Sequence, residues 1–126
     1  MKFQYIFWDN DGVLVDTERY YLQASREALA QTGTTLTDRQ FATISLGEGR
    51  SLFDLAAGRG ISAQTIHELR EWRNERYAEL LGEQDTTLMG AREVLEALHG
   101  RIKMAIVTSS QKYHFDIIHN HTKFLP

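Results

Sequence analysis

The sequence contains no cysteine, which excludes disulfide staples, thiol nucleophiles and cysteine-ligated zinc. It has a single proline and nine glycines in 126 residues, too few for a collagen-like or low-complexity chain. Positive charge is not in excess. Lysine and arginine number 14 against 17 acids, a formal net charge of -3, so a basic nucleic-acid footprint is excluded. No apolar run approaches the length of a membrane span. The N-terminus has one lysine and reaches Asp9 without the long apolar stretch or small-residue cleavage site of a signal peptide. The expectation is a soluble, cytoplasmic protein that binds neither nucleic acid nor membrane.

What is present reads as α/β. Residues 3–8 are aromatic and β-branched, as in a buried strand, and stop at the turn-forming Asp9-Asn10-Asp11-Gly12. Asp16 or Thr17 can cap a helix over residues 18–31, which Gly33 ends. Thr37, with Gln40 three residues on, is a candidate capping box for a short helix over 38–45. Ser51 and Ser62 are candidate caps for helices over 52–57 and 63–81. A helix over 90–98 then leads to a second apolar strand, residues 102–107, and a last helix from Lys112 to about His119. Both strands read as interior strands of a parallel sheet, with some 70 residues of helix between them. That is too much for a simple crossover and reads as a helical module inserted into an α/β core. Two strands make an incomplete sheet with unpaired edges, so the chain is expected to be the front portion of a larger domain.

Two strand ends carry candidate chemistry. Asp9 and Asp11 follow the first strand directly, at the carboxyl end where α/β folds bind ligands, and Gly12 lets the backbone turn there. The pair suits phosphoryl transfer: one carboxylate attacks phosphorus while the other protonates the leaving oxygen and later activates water. Two adjacent acids call for a cation such as Mg²⁺. The alternative is an Asx-turn closing a strand. Thr108 and Ser109 end the second strand, as an anion site or simply as a helix cap. The five histidines read as helix-end and surface side chains, and Trp72 and Tyr77 as packed inside the helical module.

The stretch Ile6-Phe7-Trp8-Asp9-Asn10-Asp11-Gly12-Val13-Leu14-Val15-Asp16-Thr17-Glu18 closely resembles the first motif of the haloacid dehalogenase superfamily, in its phosphatase and β-phosphoglucomutase-like branch. Val107-Thr108-Ser109-Ser110 resembles its second motif. The resemblance implies a partial Rossmannoid core of two parallel strands, residues 1–16 and 88–126, with an inserted helical cap over residues 17–87. It implies Asp9 as nucleophile and Asp11 as general acid/base. Mg²⁺ would be held by the Asp9 carboxylate and the Asp11 backbone carbonyl, and phosphate by Thr108, Ser109 and the Gly12 turn. Arg50 and Arg73 stand as cap residues facing an anionic substrate. The implied activity is hydrolysis of a small phosphorylated metabolite through an aspartyl phosphate.

Tyr21 stands where mutase relatives carry a histidine, which sets sugar phosphomutase second to hydrolase. The superfamily's later lysine and acidic motifs have no counterpart after Thr108. The isolated chain is therefore expected to be weakly active or inactive. A non-catalytic chain that self-associates through its unfinished sheet is the other reading.

Overall fold

A computed structural model describes residues 3–125. The elements run β1 (Tyr5–Trp8), α1 (Glu18–Ala30), α2 (Asp38–Gln40), a π-helical segment (Phe41–Gly47), α3 (Asp54–Ala57), α4 (Ala63–Gly82), α5 (Ala91–Leu98), β2 (Lys103–Ile106) and α6 (Lys112–Thr122). The strands pair in parallel, Tyr5 with Lys103 through Trp8 with Ile106. The chain is α/β: a small two-stranded parallel sheet with a set of helices between its strands in sequence.

It divides into two compact units, one of residues 1–19 and 78–126, the other of residues 20–77. In the second unit, α1 turns its buried Ala28 and Leu29 toward Phe41, Leu52, Phe53 and Leu69. The capping box forms as expected: the Gln40 N–H donates to Thr37 Oγ1 (3.1 Å), and the Thr37 N–H donates back to Gln40 Oε1 (2.9 Å). The helix it opens becomes π-helical after one turn. The Glu48 N–H reaches back five residues to the Thr43 carbonyl (2.9 Å). So short an apolar pattern does not distinguish the two helical periods. Ser62 caps α4 through the Thr65 N–H (3.2 Å).

In the first unit, Leu14, Val15, Leu81 and Ile118 are fully buried. The strands are not buried as their apolar sequence predicts. Exposure alternates along both. Ile6, Trp8, Met104 and Ile106 are half-buried along one face, while Tyr5 (54% exposed) and Phe7 (71% exposed) stand in solvent on the other. A groove of about 720 Å³ runs along the half-buried face, lined also by Leu14, Leu95 and Phe124. Interior strands are covered on both faces, whereas among the described residues the Tyr5 and Phe7 face of this sheet is left open. Trp72 is likewise 40% exposed, whereas Tyr77 is buried as expected.

Phe53 carries the helical unit's core. It is 1% exposed, and the Arg70 and Arg73 guanidinium groups lie 5.7 Å and 5.0 Å from its ring centre. Phe53→Ala is expected to cost about 3–5 kcal/mol, read from urea unfolding monitored by helical circular dichroism. A loss below about 1 kcal/mol would show that this core collapses around the vacancy.

Candidate active site

The sheet register sets the two motif ends side by side. The Val107 N–H donates to the Trp8 carbonyl (2.8 Å), so Asp9 and Thr108 leave paired strands at the same end. After Asp9 the chain folds around one residue. The Asn10 carbonyl accepts the N–H groups of Val13 (3.2 Å), Leu14 (2.9 Å) and Val15 (3.3 Å). Gly12 supplies the left-handed φ of +78° that this turn needs, and a Cβ there would meet Glu18 Oε1 at 3.1 Å. The Gly12 N–H is used within the loop, donated to the Val15 carbonyl (2.8 Å).

The two acids are held differently. Asp9 is exposed, and its Oδ1 accepts its neighbour Asn10's N–H (2.9 Å). Asp11 is half-buried and gripped at both oxygens: the Thr17 hydroxyl donates to Oδ1 (2.6 Å) and the Ser110 hydroxyl to Oδ2. The second bond ties the loop after β1 to the end of β2. Thr17, the residue before α1, thus orients Asp11 through its hydroxyl. Neither acid is in an ion pair with a lysine or arginine among the described residues.

Thr108 Oγ1 accepts the Ser110 N–H (3.1 Å), a local turn before α6, whose N-cap residue is Gln111. Thr108 and Ser110 line a depression of about 420 Å³ with Ile106, Val107, Lys112 and Phe115. Ser109 is exposed beside it.

A buried network lies behind the acids. Asn10 is fully buried, and its Oδ1 lies 2.7 Å from His119 Nε2. Because Oδ1 can only accept, Nε2–H is the donor. His119 Nδ1 then accepts from the Thr122 hydroxyl (2.7 Å). Burial lowers the His119 pKa from its ordinary value, against an opposing pull from Asp11, and so favours the neutral ring that this chain of bonds uses. His114 and His119 are both buried, contrary to the surface reading. In sequence, His119 looks like a fraying helix end, and only its contact with Asn10, 109 positions away, reveals its part.

Arg50 and Arg73 lie in the helical unit. Arg50 is exposed and pairs with Glu48 (2.6 Å) and Asp54 (3.5 Å). Arg73 is half-buried: its Nη1 donates to the Tyr21 hydroxyl (2.9 Å), and its guanidinium lies over the Tyr21 ring (4.9 Å). Burial lowers its pKa from the usual arginine value.

The match to a family model decides the assignment: residues 6–124 fit the haloacid dehalogenase-like hydrolase family. The chain belongs to that family. No curated protein matches the sequence. Among solved structures, the chain is similar to a haloacid dehalogenase-type hydrolase of Entamoeba histolytica at 22% identity and a TM-score of 0.75, with 98% of this chain and 58% of that one covered. It is similar to β-phosphoglucomutase of Clostridium difficile at 23% identity and 0.70, covering 93% and 55%. It is also similar to CbbY of Rhodobacter sphaeroides, solved with xylulose 1,5-bisphosphate, at 19% and 0.70, covering 93% and 56%. At these identities the likeness is one of fold, and this family member spans little more than half the length of each. The fold and the hydrolase-family assignment expected from the two motifs therefore stand.

Among the described residues, no group of three or more histidines or acids is placed to hold a metal. The donors present fit an open Mg²⁺ site nonetheless. Mg²⁺ keeps several waters and binds through one or two carboxylates together with phosphate oxygens. Asp9 offers an exposed carboxylate, one oxygen of which accepts the Asn10 N–H.

The histidine network gives a pH dependence with a definite sign. With the folded-state pKa of His119 below 6.5, the unfolded chain binds more protons below that pH. The stabilisation is therefore complete above about pH 6.5 and shrinks as pH falls toward the folded-state value. Urea midpoints measured between about pH 8 and pH 5 should fall, and should fall less in His119→Leu. The variant should already be less stable by about 1–3 kcal/mol at the upper pH, because Asn10 Oδ1 loses its donor. Equal pH slopes in the two proteins would contradict this account.

Proposed function

We propose that this chain carries the nucleophilic half of a Mg²⁺-dependent phosphate-monoester hydrolase. The observation that carries the reading is the Asp9–Asp11 pair at the carboxyl end of β1, one acid exposed and free to attack, the other clamped by Thr17 and Ser110. An Asp9 oxygen attacks phosphorus, and the ester P–O bond breaks as Asp11 gives its proton to the departing alkoxide. Asp11, now a carboxylate, takes a proton from water. The water oxygen attacks phosphorus, and the acyl phosphate opens to Asp9 and inorganic phosphate. Thr108 and the exposed Ser109 would bind the phosphoryl oxygens. The Asp9 carboxylate and the Asp11 carbonyl would hold Mg²⁺, which supplies charge neutralisation when bound.

The substrate class is a small phosphorylated metabolite. In support, CbbY of the same fold was solved with a sugar bisphosphate. Arg50 suits the role of substrate contact, since its partners Glu48 and Asp54 are exposed and such surface pairs exchange at little cost. Arg73 would act by holding Tyr21 in place. With Tyr21 engaged at its hydroxyl, hydrolysis is favoured over phosphomutase chemistry. A basic group to offset the two acids, and a further acid for the metal, would come from outside residues 1–126.

Asp9 can be tested without full turnover. The folded chain is incubated with Mg²⁺ and a small phosphoryl donor, quenched in acid and digested, and the peptides are weighed. A phosphoryl group is expected on the peptide containing Asp9, and none in Asp9→Asn. Asp11→Asn should slow its appearance by about 10²–10⁴-fold. A folded parent without adduct, or an adduct that survives Asp9→Asn, would sink the proposal.

A further inference from the structure

The two acids differ in what fixes their direction. Asp11 is held by its own side chain, through the Thr17 and Ser110 hydroxyls. The Asp9 carboxylate meets only the N–H of its neighbour Asn10 among the described residues. Its aim is therefore set by the backbone beneath it. That backbone is held at one end by β1 and at the other by the Asp16 N–H, which donates to the Thr86 carbonyl (2.7 Å). Between these ends the Asn10 carbonyl sets the curvature of the loop, but its bonds stay inside the loop. The tie from the middle of the loop to a distant element is the Asn10 side chain on His119, 109 positions away.

We propose that His119 is a positioning residue for the nucleophile: it fixes Asn10, and through Asn10 the angle at which the Asp9 carboxylate meets phosphorus. The role assigned to Asp9 rests on the hydrolase reading above. The anchoring of the loop by His119 does not.

The surroundings of His119 hold its ring in one orientation. It is buried, with the Phe115 and Phe124 ring centres at 4.5 Å and 5.9 Å. Thr122 is fully buried and gives its hydroxyl proton to Nδ1 (2.7 Å), which leaves the ring proton on Nε2, facing Asn10. Thr122 is itself oriented: its Oγ1 accepts the Phe124 N–H (3.3 Å), and its carbonyl accepts Arg92 Nη2 (2.7 Å). Lys123 has a left-handed φ of +58°, the one non-glycine residue so placed among the described residues, and turns the chain back at the end of α6. A core that needed bulk alone would be served by an apolar side chain at position 119. A buried hydrogen bond adds direction, since it weakens steeply as its angle departs from linear.

The inference separates the two acids. Loss of the anchor should disturb attack by Asp9, where a shift of about 1 Å can cost about 10²-fold. It should leave the Asp11 clamp and the phosphate contacts of Thr108 and Ser109 in place.

Three variants distinguish positioning from packing. His119→Leu removes the donor. His119→Gln keeps an N–H donor four bonds from Cα, as Nε2 is. Asn10→Leu combined with His119→Leu makes both partners apolar, which can be nearly neutral for stability. Amide NMR signals of residues 9–12 in the ¹⁵N-labelled chain read the loop without any substrate. They should be single and sharp in the parent and in His119→Gln, and broadened or multiplied in His119→Leu. With Mg²⁺ and a saturating small phosphoryl donor, the rate of adduct formation on the Asp9 peptide should fall about 10–100-fold in His119→Leu and stay within a few-fold in His119→Gln. The half-saturating donor concentration should not change. The double variant should regain the parental urea midpoint and not the rate. Parental loop signals in His119→Leu would overturn the proposal, whatever the chemistry. A double variant that recovers rate together with stability would reduce His119 to packing and overturn it too, as would a His119→Gln rate as low as that of the double variant. Loop signals that respond as expected in a chain whose parent forms no adduct would support the anchor and sink the hydrolase reading instead.

Discussion

The Asn10 side chain and carbonyl are the fixed point around which both acids are arranged. Its carbonyl gathers the three N–H groups that close the loop, and its buried amide is anchored to His119 on α6. With the middle residue pinned inward, Asp9 and Asp11 must emerge on either side of it, one toward solvent and one toward the hydroxyls of Thr17 and Ser110. Asn10 Nδ2 is buried without a partner among the described residues. An unsatisfied buried group of this kind costs about 1–3 kcal/mol. The loop accepts that cost in exchange for a defined separation of two like-charged groups.

The parts legible in the sequence are those set by neighbours in the chain. The Asp9-Asn10-Asp11-Gly12 turn, the capping box of Thr37 and Gln40, and the helix following Ser62 each depend on residues a few positions apart. The illegible parts depend on distance. His119 offered only a position near a helix end, yet it is the partner of a residue in the first loop. Thr17 sits where a cap belongs, and its position there does not reveal that its hydroxyl donates to a carboxylate six positions back. The strands misled in another way. Their composition reports the environment for which such strands are suited, fully covered on both faces, while Tyr5 and Phe7 stand exposed. Composition speaks of what a strand is made to meet, and pairing alone decides whether it has met it.

The two arginines of the helical unit show how one residue type divides between tasks. Arg73 spreads its guanidinium over Tyr21 and Phe53, donates to the Tyr21 hydroxyl and is sheltered from water. Its charge is spent on packing, where a planar cation lies well against rings. Arg50 sits in a loop between Glu48 and Asp54 with more than half of its side chain in water. Such contacts are weakly held and screened by salt, which leaves Arg50 open to other anions.

The distance between the paired strands along the chain has a consequence for how the protein comes to be folded. Residue 5 must find residue 103, and every hydrogen bond of the sheet waits on closing that span. The helical unit, residues 20–77, is contained within the span, and even its far-reaching contacts, such as Arg73 with Tyr21, close a shorter stretch of chain than the sheet does. Local contacts form faster than distant ones, and an already compact segment shortens the loop that remains to be closed. During synthesis β1 emerges long before its partner. The order of events is then set by topology: helices first, sheet afterwards, with an aromatic strand kept waiting in between.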